Sequence, residues 1–186
     1  MRNFQLIAAN IDTTPLLFAI QRQQELWNQN SLRTTHPGTP HTQVDDIWIR
    51  FNEITEDVSR VMDEHESVWY PATYALPQVK PLIQALIARV DGERLGRVLI
   101  TRVAPGKKID PHVDGGSHAA YYDRFHLVLQ SSPGTTFRAG EEIVYMPPGT
   151  IWWFDNSKEH EVINGGSVDR IHMIVDIRTQ HGHVSG

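Results

Sequence analysis

The second half of the chain consists of short segments rich in β-branched and aromatic residues, with glycine or proline turns between them. Short strands at close and even spacing are typical of sandwiches and barrels. We therefore predict a mainly β fold over residues 96–178, with the architecture of a double-sheeted jelly roll. The predicted strands are 97–103, 123–130, 135–138, 142–146, 151–154, 160–163 and 170–177.

Two amphipathic helices are predicted ahead of this β region. Asp12 precedes Pro15 in a pattern typical of a helix start, and apolar residues then recur at helical spacing through 14–29. A second helix is predicted over 79–90, with Pro81 in its first turn. We expect both helices to buttress the β region. The other predicted segments are a loop over 31–43, a strand over 47–51 and a polar surface segment over 53–66.

Length and composition restrict the class of protein. A chain of 186 residues is suited to one domain, which divides here into an N-terminal region (1–95), a β region (96–178) and a flexible tail (179–186). The 17 Lys+Arg and 22 Asp+Glu give a net charge of −5 without a basic cluster, so nucleic acid and anionic membranes are not expected partners.

The absence of cysteine and of long apolar runs excludes further classes. Without cysteine the chain has no disulfides, thiolate metal sites or cysteine nucleophile. No apolar run approaches the ~18 residues of a membrane span, and the first ten residues do not resemble a secretory signal. We therefore expect a cytoplasmic protein, and its oligomeric state is left open.

One of the ten histidines belongs to the pattern His-x-Asp. Residues two apart in an extended segment point to the same side, so His112 and Asp114 can reach one point together. Two histidines and one carboxylate on one face form the ligand set of non-haem Fe(II) oxygenases. His160 opens a predicted strand and is the best candidate for the second histidine. The sequence therefore predicts a metal site formed by these three residues.

Two arginines each precede a histidine by two residues on a predicted strand. Arg170 shares one strand face with His172, and Arg124 shares another with His126. An arginine inside a barrel needs an anion, and a guanidinium binds a carboxylate through two parallel hydrogen bonds. We predict that the two arginines bind a dicarboxylate. The alternative is that Arg170 pairs with Asp169 at the surface.

With these residues the chain resembles the aspartyl/asparaginyl β-hydroxylase family of 2-oxoglutarate- and Fe(II)-dependent dioxygenases. The resemblance extends from about Leu99 to Ile177. The motifs that carry it are Ala104-Pro105-Gly106, Asp110-Pro111-His112, Arg124-Phe125-His126-Leu127, Phe154-Asp155-Asn156, Glu159-His160-Glu161-Val162 and Asp169-Arg170-Ile171-His172 with Val175-Asp176. It implies a double-stranded β-helix of the cupin-like kind, and a hydroxylase that uses Fe(II), 2-oxoglutarate and O₂ on an amino acid, free or in a peptide or protein.

The resemblance assigns the metal ligands, which are also the candidate catalytic residues. His112 and His160 match the two metal histidines of the family. The animal members lack a carboxylate two residues after the first histidine, whereas this chain has Asp114, as many bacterial relatives do. The resemblance therefore implies a complete three-ligand iron site.

It also assigns the residues that bind the co-substrate. Arg170 matches the arginine that binds the distal carboxylate of 2-oxoglutarate, and Thr101 stands where the family has a hydroxyl residue that helps to bind it. Arg124 and His126 match an Arg-x-His that contacts the co-substrate near the metal. These four residues are the predicted co-substrate site.

Substrate contacts are predicted where loops of the N-terminal region meet the mouth of the barrel. Asp46 and Arg50 are the candidates there, with a solvated loop that leads into an edge strand as the alternative interpretation. Trp153 is a further candidate, although its aromatic neighbours favour core packing.

Two other functions remain open at this point. One is a cupin-like metal-dependent isomerase or hydrolase with the same ligands, and the other is a non-catalytic barrel that binds a small anion. The predicted partner in the hydroxylase interpretation is a small amino acid or peptide substrate. Arg170 argues against the isomerase, because such an enzyme needs no residue that binds a dicarboxylate. The intact ligand set argues against the non-catalytic barrel, because a protein without catalytic activity would be free to lose Asp114.

Overall fold

Two antiparallel β-sheets pack face to face in the computed structural model, which describes residues 1–55 and 57–180. The strands in these ranges are β1 (Phe4–Ala8), β2 (Asp45–Phe51), β3 (Val68–Trp69), β4 (Gly92–Val103), β5 (Lys108–His112), β6 (Asp123–Gln130), β7 (Thr135–Ala139), β8 (Glu142–Val144), β9 (Ile151–Phe154), β10 (His160–Asn164) and β11 (Arg170–Thr179). The larger sheet has the order β1-β9-β6-β11-β4-β2-β3, and the smaller sheet has the order β5-β10-β7-β8. This architecture confirms the predicted jelly roll.

The predicted strands of the β region are all present, with changes at their ends. β6 and β9 have the predicted bounds, whereas β4 begins at Gly92 rather than at residue 97 because its first residues pair with the end of β11. β1, β3 and β5 are not among the predicted strands. Because β2 and β3 continue the sheet beyond β4, the proposed division at residue 96 falls inside a shared sheet.

The helices are shorter than the sequence predicts. Those of the described ranges are α1 (Thr14–Gln21), α2 (Leu32–Thr35), α3 (Ala72–Ala75), α4 (Val79–Arg89) and α5 (Gly116–Tyr121). The prediction of one helix over 14–29 is wrong after Gln21. Arg22 caps α1 through a hydrogen bond to the carbonyl of Phe18, a 3-10 turn follows, and Asn28 has a φ of 61°. The later apolar residues, Leu26 and Trp27, are buried in a turn rather than along a helix.

Two other predicted segments are the loop over 31–43 and the tail over 179–186. The predicted loop over 31–43 contains α2. Thr179 ends β11, and the predicted tail beyond Gln180 lies outside the described residues. None of the helices within the described ranges combines the length and the hydropathy that crossing a membrane requires.

The larger sheet has one apolar face and one partly polar face, because side chains alternate along its strands. The apolar face packs against α1 and α4 in one buried cluster that includes Leu16, Ile20, Ile83, Leu86, Phe125, Leu127, Met173 and Val175. The helices therefore buttress the sheet as predicted. The opposite face turns toward the smaller sheet and carries Arg124, His126, Arg170 and His172. The space between the sheets is the place where these polar side chains meet.

Candidate functional site

Strands β5 and β10 lie side by side and bring two histidines together. His112, the last residue of β5, is in register with His160, the first residue of β10, and their ring centroids are 4.2 Å apart. Asp114 Oδ1 lies 3.6 Å from His112 Nε2 and 3.9 Å from His160 Nε2. One ligand atom from each residue lies within 4.8 Å of the other two. The three residues can therefore hold one metal ion.

Backbone carbonyls fix the orientation of both imidazoles. His112 Nδ1 is 2.7 Å from the carbonyl oxygen of Asp110, and His160 Nδ1 is 2.9 Å from that of Lys158. Because a carbonyl oxygen only accepts, each Nδ1 donates its hydrogen and each Nε2 keeps a lone pair toward the cluster. Burial lowers the pKa of His160 to about 4. This ring is therefore neutral at neutral pH, which is the state a metal ligand requires.

The second oxygen of Asp114 is held by a buried ion network. Arg124 Nη1 donates to Asp114 Oδ2, while its Nε and Nη2 donate to the two oxygens of Asp176 at 2.8 and 3.0 Å. His118 Nε2 lies 3.0 Å from Asp176, and its Nδ1 lies 2.9 Å from the carbonyl oxygen of Glu64. Burial opposes the charge of Asp176, yet Arg124 and His118 hold the pKa of its carboxyl well below the usual range. Every nitrogen of the Arg124 guanidinium is thus engaged by a carboxylate.

The other strand arginine is buried without an anion. Arg170 is 1% exposed, and in the described part of the chain neither of its Nη atoms has a hydrogen-bond partner. Three neighbouring polar atoms share this condition, namely Thr101 Oγ1, His126 Nε2 and His172 Nε2. Burial, reinforced by the charge of Arg33, lowers the pKa of Arg170 to about 9, so it remains charged at neutral pH. A buried charge without a partner is costly, so this group of atoms is suited to an anionic ligand.

Both histidines of the His-Asp-His cluster and Arg170 line the same cleft between the sheets. The cleft has a volume of about 350 Å³, including its opening, and is lined by His112, His160, Arg124, His126 and Arg170. The apolar side chains of Phe137 and Ile174 complete its inner walls. The structure therefore brings together a cluster that could hold a metal ion and a buried cationic group.

The segment 31–43 forms another wall of the cleft through Arg33 and His41. Arg33 Nη1 lies 3.0 and 2.7 Å from the two carboxylate oxygens of Asp46. The ring of His41 packs against that of His112 with centroids 5.0 Å apart, and burial lowers the pKa of His41 far below its usual value. Sequence reasoning missed both residues. The available signal was a cationic and an aromatic side chain on either side of Pro37 and Pro40, in a segment predicted as a loop, where binding residues concentrate.

The three predicted substrate residues lie in different places. Asp46 is fully buried on β2, where it supports Arg33. Arg50 donates to the carbonyl of Gly96 and lies over the ring of Trp69, away from the residues that line the cleft. Trp153 belongs to the helix-covered face of the larger sheet, where its indole N–H lies 3.2 Å from Asp123 Oδ1.

Solved structures share the fold of this chain. The crystal structure of an oxidoreductase of the 2OG-Fe(II) oxygenase family from Burkholderia pseudomallei has a TM-score of 0.61 and 14% identity, and the match covers 98% of this chain and 87% of that one. A Pseudomonas putida prolyl-4-hydroxylase has a TM-score of 0.59 and 16% identity, with coverage of 97% and 94%. At these identities the likeness establishes the fold.

Curated relatives include two proline hydroxylases. The L-proline cis-4-hydroxylase of Rhizobium meliloti (strain 1021) is 26% identical over 106 residues, which are 57% of this chain and 37% of that protein. The L-proline cis-3-hydroxylase 1 of Streptomyces sp is 29% identical over 101 residues, or 52% of this chain and 34% of that protein. The matches thus span little more than a third of each relative's length.

The family profile covers most of the chain. The profile described as aspartyl/asparaginyl β-hydroxylase matches residues 19–180, a range that includes the His-Asp-His cluster, Arg170 and the wall formed by 31–43. The sequence motifs, the jelly roll and the site geometry agree with this match. The chain therefore belongs to the aspartyl/asparaginyl β-hydroxylase family.

Proposed function

We propose that this protein is a dioxygenase dependent on Fe(II) and 2-oxoglutarate that hydroxylates a C–H bond of an amino acid, free or within a peptide. The observation that carries the proposal is the buried guanidinium of Arg170, which lacks an acceptor in the described ranges and shares a cleft with a His-Asp-His cluster. The names of the two proline hydroxylase relatives support an amino acid as the substrate class.

The donor set fits Fe(II). Two imidazole nitrogens with free lone pairs and one carboxylate oxygen make the facial triad of non-haem iron oxygenases, which leaves positions open for other ligands. We propose that His112, Asp114 and His160 hold the iron. Bound iron and 2-oxoglutarate supply the oxidising chemistry, in which O₂ provides one atom to a C–H bond while the keto acid becomes succinate and CO₂.

The residues beyond the metal position the co-substrate. We assign the distal carboxylate of 2-oxoglutarate to Arg170, because a guanidinium can donate two parallel hydrogen bonds to it, with Thr101 Oγ1 as an additional donor. His126 Nδ1 and His172 Nδ1 lie 3.3 Å apart and share one hydrogen. One of the two free Nε2 atoms is therefore a donor and the other an acceptor. The Nε2–H that donates can form a hydrogen bond with the co-substrate. The apolar wall formed by Phe137 and Ile174 excludes water.

The proposal is tested by substituting Arg170, which would bind the co-substrate, and His160, which would bind the iron. Arg170→Met keeps an unbranched stem and removes the guanidinium with its charge. We expect the half-saturating concentration of 2-oxoglutarate, measured by succinate formation, to rise at least about 100-fold, since a desolvated bidentate pair is lost. Anaerobic Fe(II) binding should stay within about threefold of the wild type, whereas His160→Ala should abolish it. Arg60→Met, at an exposed arginine, is the matched control.

A second readout separates a binding role of Arg170 from a structural one. Replacing a buried, unpartnered charge by an apolar side chain should leave the metal-free protein at least as stable as the wild type in urea. Marked destabilisation, or joint loss of iron and 2-oxoglutarate binding, would show that the arginine is structural. An Fe(II) protein that never binds 2-oxoglutarate would instead favour the cupin-like isomerase or hydrolase, or the anion-binding barrel.

A further inference from the structure

Among the described residues, three arginines line the cleft, and Arg33 is the one whose donors are assigned neither to a neighbouring carboxylate in full nor to the proposed co-substrate. Arg124 is engaged by Asp114 and Asp176 through all its nitrogens. Arg170 is 1% exposed, and the proposed function assigns it to 2-oxoglutarate. Arg33 lies on the wall that the N-terminal region contributes. It is the remaining cation that a second ligand of the cleft could contact.

A carboxylate holds one side of the Arg33 guanidinium and so orients the side chain. Its Nη1 lies within 3.0 Å of both oxygens of Asp46, which is buried. In the described ranges, the side-chain hydrogen bonds of Arg33 involve Nη1 alone, so Nε and Nη2 keep their donors. Such an arginine is preoriented by one carboxylate and can bind another.

His41, on the same wall, offers the opposite hydrogen-bonding character. Thr39 Oγ1 donates its hydrogen to the carbonyl of Arg33 at 2.6 Å, so it can only accept from His41 Nδ1 at 3.4 Å. Nδ1 therefore carries the ring hydrogen, and Nε2 keeps its lone pair as an acceptor. The wall thus presents guanidinium donors and an imidazole acceptor to one cavity.

The wall is fixed relative to the metal site. The N–H of Asp110 donates to the carbonyl of Pro40 at 3.1 Å, and β5 continues from there to His112. The N–H of His41 donates to Thr39 Oγ1 at 3.2 Å. These bonds hold Arg33 and His41 beside the metal ligands without a large rearrangement on binding.

We propose that Arg33 and His41 bind the α-carboxylate and the α-amino group of a free α-amino acid, an inference that rests on the proposed function and names its substrate class. The carboxylate of a zwitterionic amino acid can accept from the guanidinium of Arg33, and its ammonium can donate to the imidazole of His41. The zwitterion adds no net charge to the cavity. A residue inside a peptide lacks both charged groups, because each is converted into an amide.

The test is anaerobic calorimetry of the Fe(II)–2-oxoglutarate protein with the twenty free L-amino acids, followed by derivatives of those that bind. The derivatives are the carboxamide and the N-acetyl form of the same amino acid. We expect either modification to weaken binding at least about tenfold, because each removes one charge-assisted contact. The proposal is overturned if no free amino acid binds, or if the modified forms bind as tightly.

Variants assign each contact to its residue. Arg33→Gln should weaken binding of the free amino acid about 10- to 100-fold, while binding of its carboxamide should change little. His41→Phe should weaken binding of the free amino acid by a similar factor, while binding of its N-acetyl form should change little. Equal weakening of all ligands would mean that the residues only support the fold, and would overturn the assignment. Arg60→Gln and His36→Phe, at exposed positions, are the matched controls.

Binding and turnover separate this inference from the proposed function. Calorimetry without O₂ reports the amino acid site independently of chemistry. If a free amino acid binds as described but no succinate forms in air, the proposed function fails while the site stands. If succinate forms only with peptides, the hydroxylase function stands and the assignment of Arg33 and His41 fails.

Discussion

Asp114 uses its two carboxylate oxygens differently. Oδ1 faces the imidazoles, while Oδ2 accepts a hydrogen bond from Arg124. Because the carboxylate is held on one side, a single oxygen is directed at the metal position. Arg124 is held in turn by the two oxygens of Asp176. The orientation of a proposed metal ligand is therefore set indirectly by Asp176 of β11, through Arg124.

We predict that Asp176→Asn weakens metal binding. An asparagine offers one acceptor and turns an N–H toward Arg124, so the buried guanidinium loses part of its support. Loss of such outer-shell partners costs about 10- to 100-fold in metal affinity, and breaking a buried ion pair costs about 3–5 kcal/mol of stability. Anaerobic Fe(II) titration and urea unfolding measure the two effects, with the exposed Glu141→Gln as control. Unchanged iron affinity in a destabilised protein would contradict the orienting role.

The sequence predicts the residue types of the site better than their pairing. Arg124 and Arg170 look equivalent, because each precedes a histidine by two residues on a strand. The structure separates them: Arg124 pairs with carboxylates 10 and 52 residues away, and Arg170 has no such partner in the described ranges. Spacing along a strand shows which face a side chain shares, whereas pairing depends on contacts between distant segments.

At the scale of elements, the edge strand β1 links the two sheets. It extends the larger sheet by pairing with β9, and its Phe4 contacts Phe137 of β7 in the smaller sheet, with ring centroids 5.4 Å apart. Phe4 also stacks on Phe154 of β9 at 6.3 Å. The first strand of the chain thus helps to fix the spacing of the sheets that enclose the cleft.

We expect Phe4→Ala to lower the free energy of unfolding by about 3 kcal/mol, because it leaves a cavity between the sheets. Leu6→Ala on the same strand is the matched control, since Leu6 is half exposed and should cost less than about 1 kcal/mol. Urea denaturation of both variants measures the difference. Similar losses in the two variants would contradict the linking role of Phe4.

The elements differ in how far local sequence determines them. β6 is rich in apolar residues from Phe125 to Leu129, β9 consists of isoleucine and aromatic residues, and both strands have the predicted bounds. The local sequence does not predict β1 and β5, because they become strands by pairing with distant segments. β1 pairs with β9, and β5 pairs with β10. The apolar spacing after Gln21 fits a helix locally, yet Leu26 and Trp27 are buried by a 3-10 turn. Tertiary contacts override local propensity in these cases.

At the scale of the whole molecule, the fold carries an unusually polar interior between its sheets. One face of the larger sheet is apolar and covered by helices, while the other holds buried histidines and arginines. Desolvation lowers the pKa values of His41, His126, His160 and His172. These rings are therefore neutral in the folded protein, and the metal-free fold should be sensitive to acid.

The sign of this sensitivity follows from proton linkage. Well above pH 6.5 the four histidines are neutral in both the folded and the unfolded chain, so they add almost no pH dependence. Below pH 6.5 the unfolded chain takes up protons that the folded protein excludes, and each ring removes up to about 1.4 kcal/mol of stability per pH unit. For His160 this loss ends near its folded pKa of about 4. The carboxyl of Asp176, whose pKa is depressed, adds a further loss only below its unfolded pKa.

We therefore predict that the metal-free protein loses up to about 4 kcal/mol of unfolding free energy between pH 6.5 and 5.5. Urea denaturation in a chelating buffer measures this loss, and stability should be nearly constant from pH 7.5 to 7.0. His172→Gln should reduce the loss by about a quarter because one titrating ring is removed, whereas His36→Gln, at an exposed position, should not change it. A stability that does not vary between pH 7.5 and 5.5 would show that these rings can accept protons within the folded cleft.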